Sequence, residues 1–425
     1  MIQPFAGEQI IDGKDLEWSI PKPAGIVLFR PVIMFGVGVF QALVPYVLWQ
    51  FGFGVTQVGM DLTYLPIVLW GIASISFVIG TIFGTALPRT ESGRFELKAE
   101  ENLIPVLAAV CAVGLLLQVG LQISVYGTLP LLSYIRGDGQ IDVGTANLLE
   151  AGSGMGQIGA LAVSCFLMNG MLLTLLIVQH RTGRSMLRYF IPCVAIALIA
   201  NMVNGKRQGV LVLLFYILCG LGISGGGLLR SVSAVLFQRR SRWLAGGILV
   251  VVGCVFYWAF GYLSISRTQG VGGRDSGDEV VSYLEFPTLN LESQCAQAGG
   301  LGPVEFNLFY PLLHLLPYKW VDSTEVELPR HLIPSSPAGL MEQSQWTWGP
   351  IGVAIYCFLL GVFAQWLYLR ATSSLSCLLV YCQVAYALFM CNSYNHIASL
   401  VFFALPSAAY WMYAMIVEDK TSSFA

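Results

Sequence analysis

The chain has 425 residues, of which 56% are hydrophobic and only 11% charged, against roughly 25% charged residues in soluble domains. That balance excludes an ordinary soluble enzyme, and apolar runs recurring from about residue 24 to about residue 417 exclude a soluble head on a single anchor. A formal net charge of −2 excludes a basic nucleic-acid binder and leaves a transporter, a channel or an intramembrane enzyme.

In chain order, residues 1–18 lack a basic stretch followed by an apolar core, so 1–29 reads as a cytoplasmic tail rather than a cleaved signal peptide. Crossing hydrocarbon takes about 20 mainly apolar residues, because backbone N–H and C=O groups in lipid must be satisfied within the segment. Runs of that kind lie near 30–50, 62–84, 103–126, 156–179, 186–203, 208–226 and 243–265, then 346–369, 374–391 and 396–417. The absence of long period-2 alternation makes them helices. The predicted organisation is therefore an all-α polytopic membrane protein of about ten transmembrane helices: seven in 30–265, a large outside loop at 266–345, three more in 346–417 and a short tail at 418–425. Within the loop, GPVEFNLFYPLLHLLPYKW (302–320) has apolar residues at helical spacing but is interrupted by Pro311 and Pro317, so it is expected to form an interfacial or re-entrant helix.

Lys and Arg prefer the cytoplasmic side in short loops. With the N-terminus inside, fifteen of the 22 Lys and Arg fall inside and three (Arg136, Lys206 and Arg207) in short outside loops, the rest lying in the large loop. Both termini are thus expected in the cytoplasm. Of the ten cysteines, only Cys295 falls clearly outside a span, and no CxxC spacing occurs, so packing rather than disulfide or metal chemistry is expected. No cofactor and no metal site is expected. Gly220, Gly222 and Gly225 match a dinucleotide fingerprint but close a span, and together with the Gly80/Gly84 pair they predict close helix packing instead.

The basic residues left outside are the candidates for the chemistry. Lys206 and Arg207 occupy the turn NGKRQG (204–209), Arg267 and Arg274 lie where span seven emerges in SISRTQGVGGR, and Arg136 follows span three. Guanidinium groups form bidentate, charge-assisted bonds to phosphate, so their convergence at one membrane face would suit a lipid diphosphate. The alternatives are snorkelling of the basic pair and, for Arg136 and Arg274, pairing with Asp138, Asp275, Asp278 or Glu279. Before span eight, Glu342 precedes Trp346, Trp348, Gly349 and Gly352, a depth at which a carboxylate can be desolvated into a general base, the alternative being a solvated loop glutamate.

Glu342 with its aromatics and WGPIG, the GKRQ turn, the SRTQG exit and YLEFPTLN (283–290) together resemble Wzy-type oligosaccharide repeat-unit polymerases over roughly residues 130–370. The chain has about ten spans where twelve is common in that family. The resemblance implies a GT-C-like glycosyltransferase architecture in the bacterial inner membrane. It also implies a polyprenyl-diphosphate-linked oligosaccharide as donor and acceptor, and a chain-length regulator as protein partner. On it, Arg207, Lys206, Arg267, Arg136 and Arg274 would hold the diphosphate. Glu342 would be the first choice as base and His331 the second, the latter by similarity to O-antigen ligases, which share the architecture. Tyr283, Asn290 and Trp346 would contact sugars, unless the tryptophans form an interface belt. The rival readings are an O-antigen ligase and a lipid-linked-oligosaccharide flippase or secondary transporter.

Overall fold

A computed structural model describes residues 28–51, 62–88, 96–97, 276–303, 339–392 and 403–419, with scattered helical positions in 109–123 and 215–223. In chain order the elements are α1 (Pro31–Gln50), α2 (Leu65–Ala86), β1 (Glu96–Leu97), α3 (Ser276–Gln297), α4 (Leu340–Arg370), α5 (Leu375–Phe389), α6 (Leu405–Val417) and β2 (Glu418–Asp419). The described chain is thus helical apart from one two-residue antiparallel ladder, in which Glu96 faces Asp419 and Leu97 faces Glu418. Among the described residues three helices, Pro31–Gln50, Leu65–Ala86 and Trp348–Arg370, are long and apolar enough to cross a membrane.

Local sequence explains where these helices start and bend. Prolines occupy the first turns of α1 and α2, where their missing N–H has no partner to lose. In α4, Gly349 adopts φ 60 and ψ −151 immediately before Pro350, so the 31-residue element is two helices meeting at a kink. Proline disfavours helical geometry in the residue before it, and glycine alone takes this backbone region readily. Beyond the kink, Ile351, Ile355 and Leu359 are exposed, as are Ile75 and Ile82 of α2 and Phe40 and Val47 of α1. Apolar side chains on the outer surface of long apolar helices are what a lipid environment accommodates.

The tightest seam joins α2 to α4, which run parallel. Gly80 packs on the backbone of Phe358, Gly84 on Val362 and Gln365, and Gly361 on Phe77 and Thr81. The Gly80/Gly84 spacing thus has the role its sequence predicts, letting two backbones approach. α1 and α5 also run parallel, with the Tyr381 hydroxyl donating to the Phe29 carbonyl at one end and Gly38 seated against Leu388 and Cys391 further along. The bundle therefore has two distinct ends. One gathers Phe29, the β1–β2 ladder and Arg370, which donates to the Pro88 carbonyl at 3.2 Å and lies 4.5 Å over the Trp366 ring. The other gathers the C-terminus of α1, the N-termini of α2 and α4, and the C-terminus of α5. Between them lies a core in which Phe35 stacks on Phe77 at 4.2 Å and Tyr381 and Tyr410 are fully buried.

α3 was not expected from the sequence. The segment 266–345, read as an outside loop with its helix at 302–320, carries a further 22-residue helix at Ser276–Gln297, while the expected helix, but for residues 302 and 303, lies outside the described residues. Cys295, expected outside the spans as a packing residue, is fully buried on that helix. The physical reason is that α3 docks on the bundle, and burial against α1, α2 and α4 stabilises a helix that its acidic residues and Pro287 made unpromising in isolation.

Candidate functional site

α3 lies across the end of the bundle where α1 stops and α2 and α4 begin. Glu285, Thr288, Glu292 and Cys295 follow one another at helical spacing along a single stripe, and all four are buried. Leu289, Asn290, Leu291 and Gln294 are buried as well, so polar groups are taken out of water on more than one side of the helix. A buried polar group is costly unless it is hydrogen-bonded, and the partners come from two spans. Glu292 Oε1 accepts from the Thr63 backbone N–H at 2.6 Å and from the Tyr46 hydroxyl at 3.1 Å; Oε2 accepts from the Thr63 hydroxyl at 2.7 Å. Thr63 in turn accepts from the Leu65 N–H at 3.2 Å, which ties the clamp to the first turn of α2. One turn back, the Thr288 hydroxyl reaches the Ala42 carbonyl of α1 at 3.5 Å.

Burial pushes the Glu292 carboxyl above the usual carboxylate range, and the hydrogen bonds from Thr63 and Tyr46 oppose that shift without cancelling it. The neighbouring Cys295 thiol is pushed up to about 12, first by burial and then by the charge of Glu292. A carboxyl that holds its proton more tightly folded than unfolded lends stability at low pH, and that stability is lost as pH rises through its folded value. Thermal stability of the purified protein is therefore expected to fall as pH climbs from the ordinary carboxylate value of about 4.3 through the raised value of Glu292. The matching Glu292→Gln variant should lack that slope, and a wild-type slope in the variant would assign it to another group.

Beyond α3 the chain turns back over α4. Gly299 and Gly300 take φ 65 and 145, and the Gly300 N–H bonds the Cys295 carbonyl at 2.9 Å, closing the helix with a left-handed glycine. The strap that follows rests on the lead-in of α4: the Gln345 side-chain amide donates to the Gly302 carbonyl at 2.8 Å, and Leu301 and Pro303 pack on Gly349. The start of α4 is also tied to α5, with the Leu340 N–H donating to the Cys391 carbonyl at 3.0 Å and Gly339 packed on Asn392. The lead-in 340–348 is thus held on both sides, and the kink sets its direction against the span that follows.

Of the residues singled out by sequence, Glu342 and Trp346 fall within the first turns of α4, inside a helix rather than in the loop where Glu342 was expected, and Tyr283 lies on α3. Only the backbone of those three is described. Asn290 is buried on α3 with 1% of its surface exposed, so it does not present itself to a soluble sugar in this arrangement. His331, Arg136, Lys206, Arg207, Arg267 and Arg274 lie outside the described residues. Sequence reasoning passed over Glu292, Tyr46 and Thr63. The available signal was Glu285, Thr288 and Glu292 at one helical spacing, masked by Pro287 and by a long polar interval that reads as loop. Among the described residues no three His, Cys, Asp or Glu side chains group in a way that could hold a metal ion.

Comparison with protein-family models, with curated proteins and with solved structures finds no match to this chain in any of the three.

Proposed function

We propose that the chain is a membrane glycosyltransferase that polymerises polyprenyl-diphosphate-linked oligosaccharide repeat units at the outer face of the bacterial inner membrane. In this reading it has about ten spans of GT-C-like arrangement and both termini in the cytoplasm. The observation that supports it is the concentration of buried polar structure at one end of the bundle, where α3, its strap and the Glu342-bearing lead-in of α4 meet. A one-sided site of this kind suits chemistry on a substrate anchored in one leaflet better than a path through the membrane, which calls for ionisable groups near its middle.

In the reaction, the acceptor hydroxyl oxygen on the new lipid-linked unit forms a bond to the anomeric carbon of the growing glycan. The bond from that carbon to the diphosphate oxygen breaks, and the lipid diphosphate departs with the electron pair. Direct displacement inverts the anomeric carbon. The hydroxyl proton passes to Glu342, with His331 the second choice. The negative charge gathering on the diphosphate is met by Arg207, Lys206 and Arg267, with Arg136 and Arg274 in support, because preorganised cations stabilise the charge that develops as the bond breaks. Tyr283 and Trp346 contribute to sugar contact, and a chain-length regulator is the protein partner.

The deciding experiment is incubation of purified protein with a single lipid-linked repeat unit. A product ladder with released lipid diphosphate supports a polymerase. Transfer only to a lipid A core means a ligase, and no covalent change means a transporter or flippase. In the same assay Arg207→Ala and Arg267→Ala are each expected to lower turnover by roughly 100-fold or more, the scale of losing one preorganised charge contact, with unchanged protein in the membrane. Full-length polymer from both would remove the diphosphate role, and wild-type turnover by Glu342→Gln would shift the base to His331.

A further inference from the structure

We propose that Glu292 is a positioning residue for the lead-in of α4, acting through α3 and its strap without touching substrate. Besides the Thr288 contact to Ala42, α3 and its strap are fastened at two places. Glu292 fixes it to Tyr46 of α1 and to Thr63 at the start of α2, and just past its C-terminus the strap fixes it to Gln345 and Gly349 of α4. Only about one and a half helical turns separate Glu292 from Gln297, and the glycine-capped turn after Gln297 is hydrogen-bonded back to Gln294, Cys295 and Ala296. A shift at the clamp is therefore passed to the strap rather than absorbed. On the far side, Gln345 stands one turn beyond Glu342 on the same helix face, at i and i+3, so the strap holds the turn that carries Glu342.

The chemistry of the clamp argues for positioning over adhesion. Glu292 has 2% of its surface exposed, and the donors that reach it are the neutral groups of Thr63 and Tyr46. A leucine at position 292 would replace these bonds with undirected apolar contact. Three directed hydrogen bonds from two spans instead admit one register, which is the best-attested use of buried polar groups. Gly349 and the kink at its other attachment leave the strap one seat, because a side chain there would meet Pro303.

The test reads hydrogen exchange at residues 340–348, which are distant in sequence from the clamp, in purified full-length protein. Glu292→Leu is expected to speed exchange there and in 299–303 by about tenfold or more, the scale of losing a charge-assisted buried hydrogen bond. Glu292→Gln still accepts from Thr63 N–H and Tyr46 and should stay near wild type. Thr63→Ala removes one donor and should give a weaker form of the same pattern even where the leucine variant does not fold. Faster exchange confined to 285–297 in both destabilising variants would overturn the proposal. The activity arm rests on the glycosyltransferase reading: with a lipid-linked repeat unit, Glu292→Leu should lower kcat at an unchanged KM, and its effect should be non-additive with Gln345→Ala. A raised KM at constant kcat would overturn it. Failure of wild-type protein to extend the substrate would sink the glycosyltransferase reading alone, since the exchange arm decides positioning independently.

Discussion

Gly80→Leu is expected to prise α2 from α4 and destabilise the bundle by about 3 kcal/mol or more, at the upper end of overpacking costs. Even the first added carbon would collide with the backbone of Phe358, and backbone atoms of a packed helix cannot swing aside as a side-chain tip can. One turn on, a Cβ at Gly84 would lie 2.8 Å from both the Val362 carbonyl oxygen and the Gln365 Cβ, so the helices cannot slip to a better register nearby. In lipid, helix association relies on close packing rather than on apolar burial from water, so the loss is not recovered by hydrophobic contact elsewhere. At Gly71 on the same helix an added methyl group would meet nothing within 4 Å, which makes Gly71→Ala the control, neutral or stabilising by about 0.5–1 kcal/mol. Thermal unfolding of the two variants in detergent measures the contrast, and equal melting temperatures would mean that the α2–α4 seam is not what holds the bundle.

The second large effect is expected at Gly349→Ala. Here two penalties coincide. The backbone at φ 60 and ψ −151 belongs to a region open essentially to glycine, which costs another residue about 1–3 kcal/mol. A Cβ would also stand 3.1 Å from Pro303 and 3.3 Å from the Leu301 carbonyl oxygen, so the strap would have to lift. The span Trp348–Arg370 can survive by straightening at its lead-in, so the variant should remain in the membrane; on the proposed glycosyltransferase reading turnover should fall steeply, because the turn bearing Glu342 would point elsewhere. Assay of lipid-linked product formation beside a membrane-abundance measurement separates the two. Normal turnover with a lowered melting temperature would show that the kink serves stability only.

Among the described residues the long apolar helices were legible in the sequence because lipid imposes a one-dimensional rule, while the spans expected between 103 and 265 lie outside them but for scattered positions. A segment must be apolar for about 20 residues, and Pro31–Gln50, Leu65–Ala86 and Trp348–Arg370 satisfy it nearly within the bounds their composition suggests. The paired glycines of α2 were likewise readable, since small residues at that spacing let backbones approach, whereas the kink at Gly349–Pro350 was not read from the sequence. Nor was α3. Its acidic residues and Pro287 read as loop, and only docking makes the helix favourable, a tertiary term with no local signature.

The sequence by itself therefore determined the class, a helical membrane protein, through scarcity of charge and length of apolar runs. Tertiary structure decided which polar residues meet. Glu292 is separated by 229 residues from Thr63 and by 246 from Tyr46, and no periodicity records a partnership across that distance. Burying a carboxylate is tolerable only when donors from other elements reach it, so the clamp exists only once the bundle has assembled and α3 has crossed its end.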